Sequence, residues 1–214
     1  SSDVCSSDLG YTHNVAMMMN AWSAIASGLT ILFLFWTITH FARRLVIGRE
    51  GEPDTNQMIM IMGAGLIGAL AYTFSDTFWF SAVEAEVYAT SSFFTALVFW
   101  AILKWEHVAD EPGADRWLVF IAYMMGLSVG IHLLNLLAVP AITMVYYFRK
   151  YDVTSFGTFI AFLIGCALLG LIQFGVLQGL PILASKLDLF MVNSMGMPFD
   201  TGAFVFIALL VAAL

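Results

Sequence analysis

WLVFIAYMMGLSVGIHLLNLLAVPAITMVYYF, residues 117–148, is an apolar run too long for one ordinary membrane crossing. Gly126, Gly130, His132, Asn135 and Pro140 interrupt it. The spacing predicts two short helices, 117–130 and 133–148, with a polar break at 131–132. Glycine-broken helices at membrane depth are tolerated where protein or a water-filled cavity surrounds the freed backbone. The charges agree with this division. The cations are Arg43, Arg44, Arg49, Lys104, Arg116, Arg149, Lys150 and Lys186. With the break, all except Lys186 fall on one side of a membrane; without it, Arg149 and Lys150 land opposite Arg116. Cytoplasmic loops collect Lys and Arg, so the cation-rich side is expected to be cytoplasmic.

On either side of this run lie further apolar stretches of spanning length: 15–40, 57–74, 87–105 and 155–178, with 201–214 beginning another. The expected fold class is therefore all-α: a polytopic transmembrane helical bundle of about six spans plus a truncated seventh. Loops 41–56, 106–116 and 149–154 fall on the cation-rich side; 75–86, the break and 179–200 fall opposite. Tyr72, Phe78, Trp79 and Phe80 are expected at one interface, and Trp105, Trp117, Tyr146 and Tyr147 at the other. Composition points the same way. The chain is 61% hydrophobic and 11% charged, with a mean hydropathy of +0.89. A soluble domain carries about 25% charged residues, so a soluble globular enzyme is excluded. Disorder is excluded by the same apolar excess. The net charge of −7 excludes a nucleic-acid partner of the usual basic kind. Cys5 and Cys166 make no disulfide framework.

Residues 1–9, SSDVCSSDL, repeat SSD and lack both the basic and the apolar regions of a signal peptide. They are expected to be a sequencing artefact, leaving 10–214 as a partial transmembrane domain whose last run stops within apolar sequence.

GAGLIG at 63–68 matches GxGxxG literally. A dinucleotide site would need a strand before it and a soluble βαβ unit around it, whereas here it lies inside an apolar run. Close helix packing is the expected role. The stretch FSDTFWFSAVEAEVYATS, 74–91, joins Asp76, Glu84 and Glu86 to an aromatic cluster with no cation. Carboxylates at a membrane edge face water, a partner or a site. The plain alternative is a solvated loop with interface aromatics. On a helix Glu84 and Glu86 would diverge; on extended chain both could face one pocket. His132, beside Asn135 at the break, is suited to carry a proton or donate to a phosphate. Its plain alternative is a hydrogen bond to backbone freed by the break. No His/Cys cluster suggests a metal. His13, His40 and His107 read as structural or solvated, and EHVADEPGADR, 106–116, as a solvated connector. The segment 179–200 reads as an interfacial helix followed by a turn. Lys186 in it is a candidate counter-charge for an anionic substrate.

Four stretches together resemble one family: NAWSAIASGLTILFLFWTITHFARRL (20–45), FWFSAVEAEVYATSSFFTALVFWAILKW (78–105), GLSVGIHLLNLLAVPA (126–141) and VNSMGMPFDTG (192–202). They are similar to the bacterial glycosyltransferase family 117 membrane proteins, relatives of protein O-mannosyltransferases with the GT-C fold. The resemblance runs from Tyr11 to Leu214. It implies an enzyme that moves a sugar, mannose for example, from a polyprenyl-phosphate carrier to a hydroxyl of an exported protein. Transfer would occur on the non-cytoplasmic face, in a bacterial inner membrane with the active face toward the periplasm. No cofactor is implied. The family's acidic catalytic motif lies just upstream of the segment matching Tyr11, so the catalytic base is expected outside this chain, which would then be inactive alone. The resemblance carries over Glu86, in AEVY, and His132, in GLSVGIH, as substrate-binding residues. Glu84, Asp76 and Lys186 are candidates on position alone. A transporter or flippase for a lipid-linked substrate is the rival reading, because broken helices also mark transport sites. A non-catalytic envelope scaffold is a second.

Overall fold

The computed structural model describes residues 12–48, 51–84 and 87–213, and within them every regular element is helical. The elements are α1 (Thr12–Val46), α2 (Thr55–Thr73), α3 (Asp76–Val83), α4 (Val87–Val108) and α5 (Asp115–Val129), then a 3-10 turn (Leu133–Leu137). They continue with α6 (Ala138–Lys150), α7 (Ser155–Gly170), a π-helical segment (Leu171–Gly179), α8 (Leu180–Met195) and α9 (Thr201–Ala213). Met17–Val46, Thr55–Thr73, Val87–Val108 and Ser155–Met195 are long and apolar enough to cross a membrane. α5 and α6, at 15 and 13 residues, rise only about 20 Å at 1.5 Å per residue. The expected break therefore divides the long run into halves that are each shorter than an ordinary span. Residues 1–9 lie outside the described residues.

The chain divides into two compact units. One comprises the chain up to Ala138 together with Phe148–Tyr151; the other comprises Val139–Tyr147 and the chain from Asp152 onward.

In the first unit α1 packs along both α2 and α4, and α4 packs on α5. α4 is the enclosed helix: Ala89, Val98, Ala101, Ile102 and Trp105 on it are buried. The face of α1 that meets neighbours is small and polar, with Ser23, Ala26, Ser27 and Thr30 buried. Residues of that size let helix backbones approach closely. Trp22 Nε1 donates to Thr90 Oγ1 at 3.0 Å, tying α1 to the start of α4. GAGLIG has the packing role. A Cβ added at Gly68 would come 2.7 Å from Ile38 Cδ1, and one at Gly65 would come 3.0 Å from Phe35 Cε2. Both would press on α1. Outward faces are apolar: Ile59, Ile67, Val119 and Phe74 are exposed, as lipid-facing side chains would be. Two expected interface aromatics turn inward instead. Phe78 is buried against Tyr72, with ring centroids 4.6 Å apart, and Trp105 is wholly enclosed in the bundle.

In the second unit the helix does not end near residue 178. It continues from Ser155 to Met195 without interruption, through the π segment. Pro181 has no N–H to donate, and Gly175 and Gly179 are poor helix formers. These residues resemble a stop signal in sequence, but the backbone passes the glycines as a π segment and Pro181 falls in the first turn of α8. The helix of 41 residues is about 60 Å long, roughly twice the hydrocarbon thickness. It ends at Gly196, whose φ of +66° is left-handed. Met197 N donates to Met191 O there, closing a glycine cap. α9 then folds back on α8. Asp188 Oδ1 accepts from Gly202 N at 2.8 Å at the start of α9. The predicted helix-then-turn at 179–200 is present, as an extension of the preceding helix.

Candidate functional site

Chain order places the two ends of the first unit. α1 runs toward Val46, α2 returns, α4 runs back toward Val108, and α5 returns to the break. One end therefore holds the described residues of the 74–91 stretch and the break; the other holds Arg43, Arg44, Lys104, Arg116, Arg149 and Lys150.

At the first end the break is built by its own side chains. α5 stops at Val129, and the Ser128 carbonyl accepts from both Ile131 N (3.0 Å) and His132 N (2.8 Å). His132 is extended, with φ −157° and ψ 135°. Its Nδ1 accepts from Leu134 N at 3.1 Å, which caps the 3-10 turn. That is the hydrogen bond expected of a structural histidine, and it uses only one ring nitrogen. With Nδ1 accepting, a neutral ring carries its proton on Nε2 and can donate from there. Ser128 and Asn135, both fully buried, brace the break. Asn135 Nδ2 donates to Ser128 Oγ at 2.8 Å, and Ser128 Oγ donates to Met125 O at 2.8 Å. Ser128→Ala would strand the buried amide, so it is expected to destabilise the chain by about 1–3 kcal/mol. Thermal unfolding in detergent measures this; an unchanged midpoint would mean that the pair carries no stability.

The Tyr88 ring lies 5.7 Å from the His132 ring, centroid to centroid. This contact joins two of the four stretches that carry the sequence resemblance, at AEVYA and GLSVGIH. Asp76 is exposed in the first turn of α3, and Glu84 is exposed at its end. Glu84 has extended backbone, φ −96° and ψ 143°, so the helical divergence considered for Glu84 and Glu86 does not apply at Glu84. Glu86 lies outside the described residues; Val87, which follows it, starts α4. Lys186 is exposed on α8, in the second unit. The structure thus joins His132 to the AEVYA stretch through Tyr88 and sets Asp76 and Glu84 at the same end.

The opposite end holds what sequence reasoning passed over. The connector 106–116 is not simply solvated: Glu106 is buried in the last turn of α4. Arg44 grips it with both nitrogens, Nη1 to Oε2 at 2.8 Å and Nη2 to Oε1 at 2.6 Å. Arg149 Nε donates to the Glu106 carbonyl at 3.1 Å and its Nη2 pairs with Asp110. Lys150 Nζ donates to Ala109 O at 2.7 Å. A cavity of about 520 Å³ opens beside this network, lined by Trp36, His40, Arg43, Trp100, Lys104 and His107, among others. The signal available in sequence was the i, i+3 spacing of His40 with Arg43 and of Lys104 with His107, which puts each pair on one helix face.

Among the described residues no group of His, Cys, Asp and Glu is arranged to hold a metal. The chain matches the family model described as the protein O-mannosyl-transferase TMEM260 N-terminal domain over residues 6–155. No curated protein and no solved structure matches it.

Proposed function

The chain belongs to the family of the protein O-mannosyl-transferase TMEM260 N-terminal domain, and from that premise we propose that it is part of a GT-C-type, polyprenyl-phosphate-dependent glycosyltransferase of the glycosyltransferase family 117 kind. The donor is a lipid-linked sugar, mannose in the first instance, and the acceptor is a serine or threonine hydroxyl of an exported protein. The Tyr88–His132 contact is the observation that supports this reading most directly. It brings the AEVYA and GLSVGIH stretches to one end of the bundle, where Asp76 and Glu84 also lie.

The chemistry fits these side chains. A hydroxyl attacking the anomeric carbon must lose its proton to a carboxylate. The lipid phosphate that departs needs a hydrogen-bond donor. His132 Nε2–H is suited to the phosphate, with Nδ1 held by Leu134 N. Glu86 is suited to the sugar or to the incoming hydroxyl, with Glu84 and Asp76 in reserve. A lipid-linked donor needs bilayer for its chain and an interface for its phosphate, and both meet where a short broken helix ends. In this reading the site faces the periplasm of a bacterial inner membrane and the cations face the cytoplasm.

Reconstitution in vesicles of the protein purified from its native membrane, with labelled polyprenyl-phosphate mannose and a serine/threonine-rich peptide, tests the reading. Label on the peptide is the expected result. Label carried across the bilayer without covalent transfer would make the protein a transporter, and neither outcome would leave a scaffold. Sidedness is tested separately in a variant lacking Cys5 and Cys166. A cysteine introduced at Ala82 is expected to react with an impermeant outside reagent, and one at Pro112 to be shielded. The reverse pattern would turn the site to the cytoplasm.

A further inference from the structure

We infer that the cavity at the cationic end of the first unit binds the phosphate of an anionic phospholipid headgroup. Its volume of about 520 Å³ lies in the range of small-molecule sites. Arg43 on α1 and Lys104 on α4 bring two fixed positive charges, and His40 and His107 bring two imidazoles. No carboxylate lines it among the described residues. The neighbouring cavity, about 350 Å³, does include Glu106 and Asp110. Those are engaged by Arg44 and by Arg149 with Lys150. Arg43, by contrast, donates to the Gly51 carbonyl at 3.4 Å, and Lys104 lies 5.8 Å over the Trp100 ring. A chain of net charge −7 has thus set aside a local surplus of positive charge.

A second observation is independent of charge. His40 Nε2 is enclosed and has no hydrogen-bond partner in the structure. A buried polar atom left unpaired is rare and marks a missing partner. His40 borders both cavities, so a rotation of its ring would bring this enclosed nitrogen to a phosphate oxygen in the larger one.

Lipid is favoured over free phosphate by the rest of the wall. Trp36 and Trp100, rings 5.6 Å apart, form an aromatic side to the cavity. Below Trp36, Leu29 and Leu32 are exposed along α1 toward the middle of the bundle. A headgroup among the cations would leave acyl chains against that face. Basic pockets between transmembrane helices recognise anionic headgroups in this way. The site is at the opposite end from the transfer site proposed above, and it stands whichever way the chain is oriented.

Native mass spectrometry of the purified chain in detergent micelles tests this with three probes: phosphatidylglycerol, phosphatidylcholine and inorganic phosphate. Wild type is expected to retain phosphatidylglycerol at least about tenfold better than phosphatidylcholine. R43Q/K104Q is expected to lose that preference. R116Q, which removes a cation outside the cavity, is expected to keep it. Equal retention of the two lipids by wild type would overturn the proposal without reference to any variant. So would an undiminished preference in R43Q/K104Q, or capture of inorganic phosphate in place of lipid.

Discussion

Glu106→Gln is expected to lower the stability of the first unit by about 2–3 kcal/mol, the largest loss from any single polar change at the cationic end. The carboxylate accepts two short hydrogen bonds from Arg44, at 2.6 and 2.8 Å, and its side chain is only 10% exposed. Removing one partner of an enclosed pair leaves the other charge uncompensated, which costs about 3–5 kcal/mol when both are fully buried. Arg44 is 33% exposed, so water recovers part of that loss. Arg149 would still hold the Glu106 carbonyl, because that bond is to backbone. Thermal unfolding of the purified protein in one detergent measures the effect. Arg44→Leu combined with Glu106→Leu is expected to regain most of it, since removing both charges leaves neither stranded. A single Glu106→Gln variant as stable as wild type would show that the bidentate pair contributes nothing to the packing of α1 on α4.

How much of this was legible in sequence depends on whether the signal was local. The break at 131–132 was, because Gly126, Gly130 and Pro140 punctuate an otherwise continuous apolar run. The packing role of GAGLIG followed from its surroundings rather than from its spelling. The long helix over Ser155–Met195 was misread at residue 178 because Pro181 and two glycines resemble a stop, while a π segment that carries a helix past those glycines has no sequence signature. The short helix Asp76–Val83 was hidden within a stretch read as loop, where one buried residue, Phe78, anchors it. The candidate site was half legible. Each motif could be named, but the Tyr88–His132 contact spans more than forty residues and exists only in the fold. The cationic cavity was missed for a similar reason. His40 and His107 each look structural on their own helix, and only the packing of α1 on α4 lines them up around one space.

Glu86→Gln is expected to cut sugar transfer by at least about tenfold in the protein expressed in its native membrane, with insertion and expression unchanged. Glu86 follows the aromatic cluster and directly precedes α4, whose second residue, Tyr88, touches His132. A glutamate placed there only to meet water would tolerate the change, since exposed substitutions away from special features stay within about 0.5 kcal/mol. One that binds sugar hydroxyls or orients the acceptor would lose an ionic hydrogen bond, worth roughly 1.5–3 kcal/mol. Expressed in the transition state, that is about a 10- to 150-fold loss of rate. Glu84→Gln supplies the comparison. Glu84 is exposed where α3 ends, so its change is expected to do less. The kinetics distinguish binding from positioning. Loss of a donor contact made equally in the ground and transition states raises KM, whereas loss of a contact made only in the transition state lowers kcat. A fall in kcat at Glu86, with Glu84→Gln near normal, assigns Glu86 to the reacting sugar. Near-normal rates in both variants would reduce the 74–91 stretch to an interface anchor and remove its carboxylates from the site.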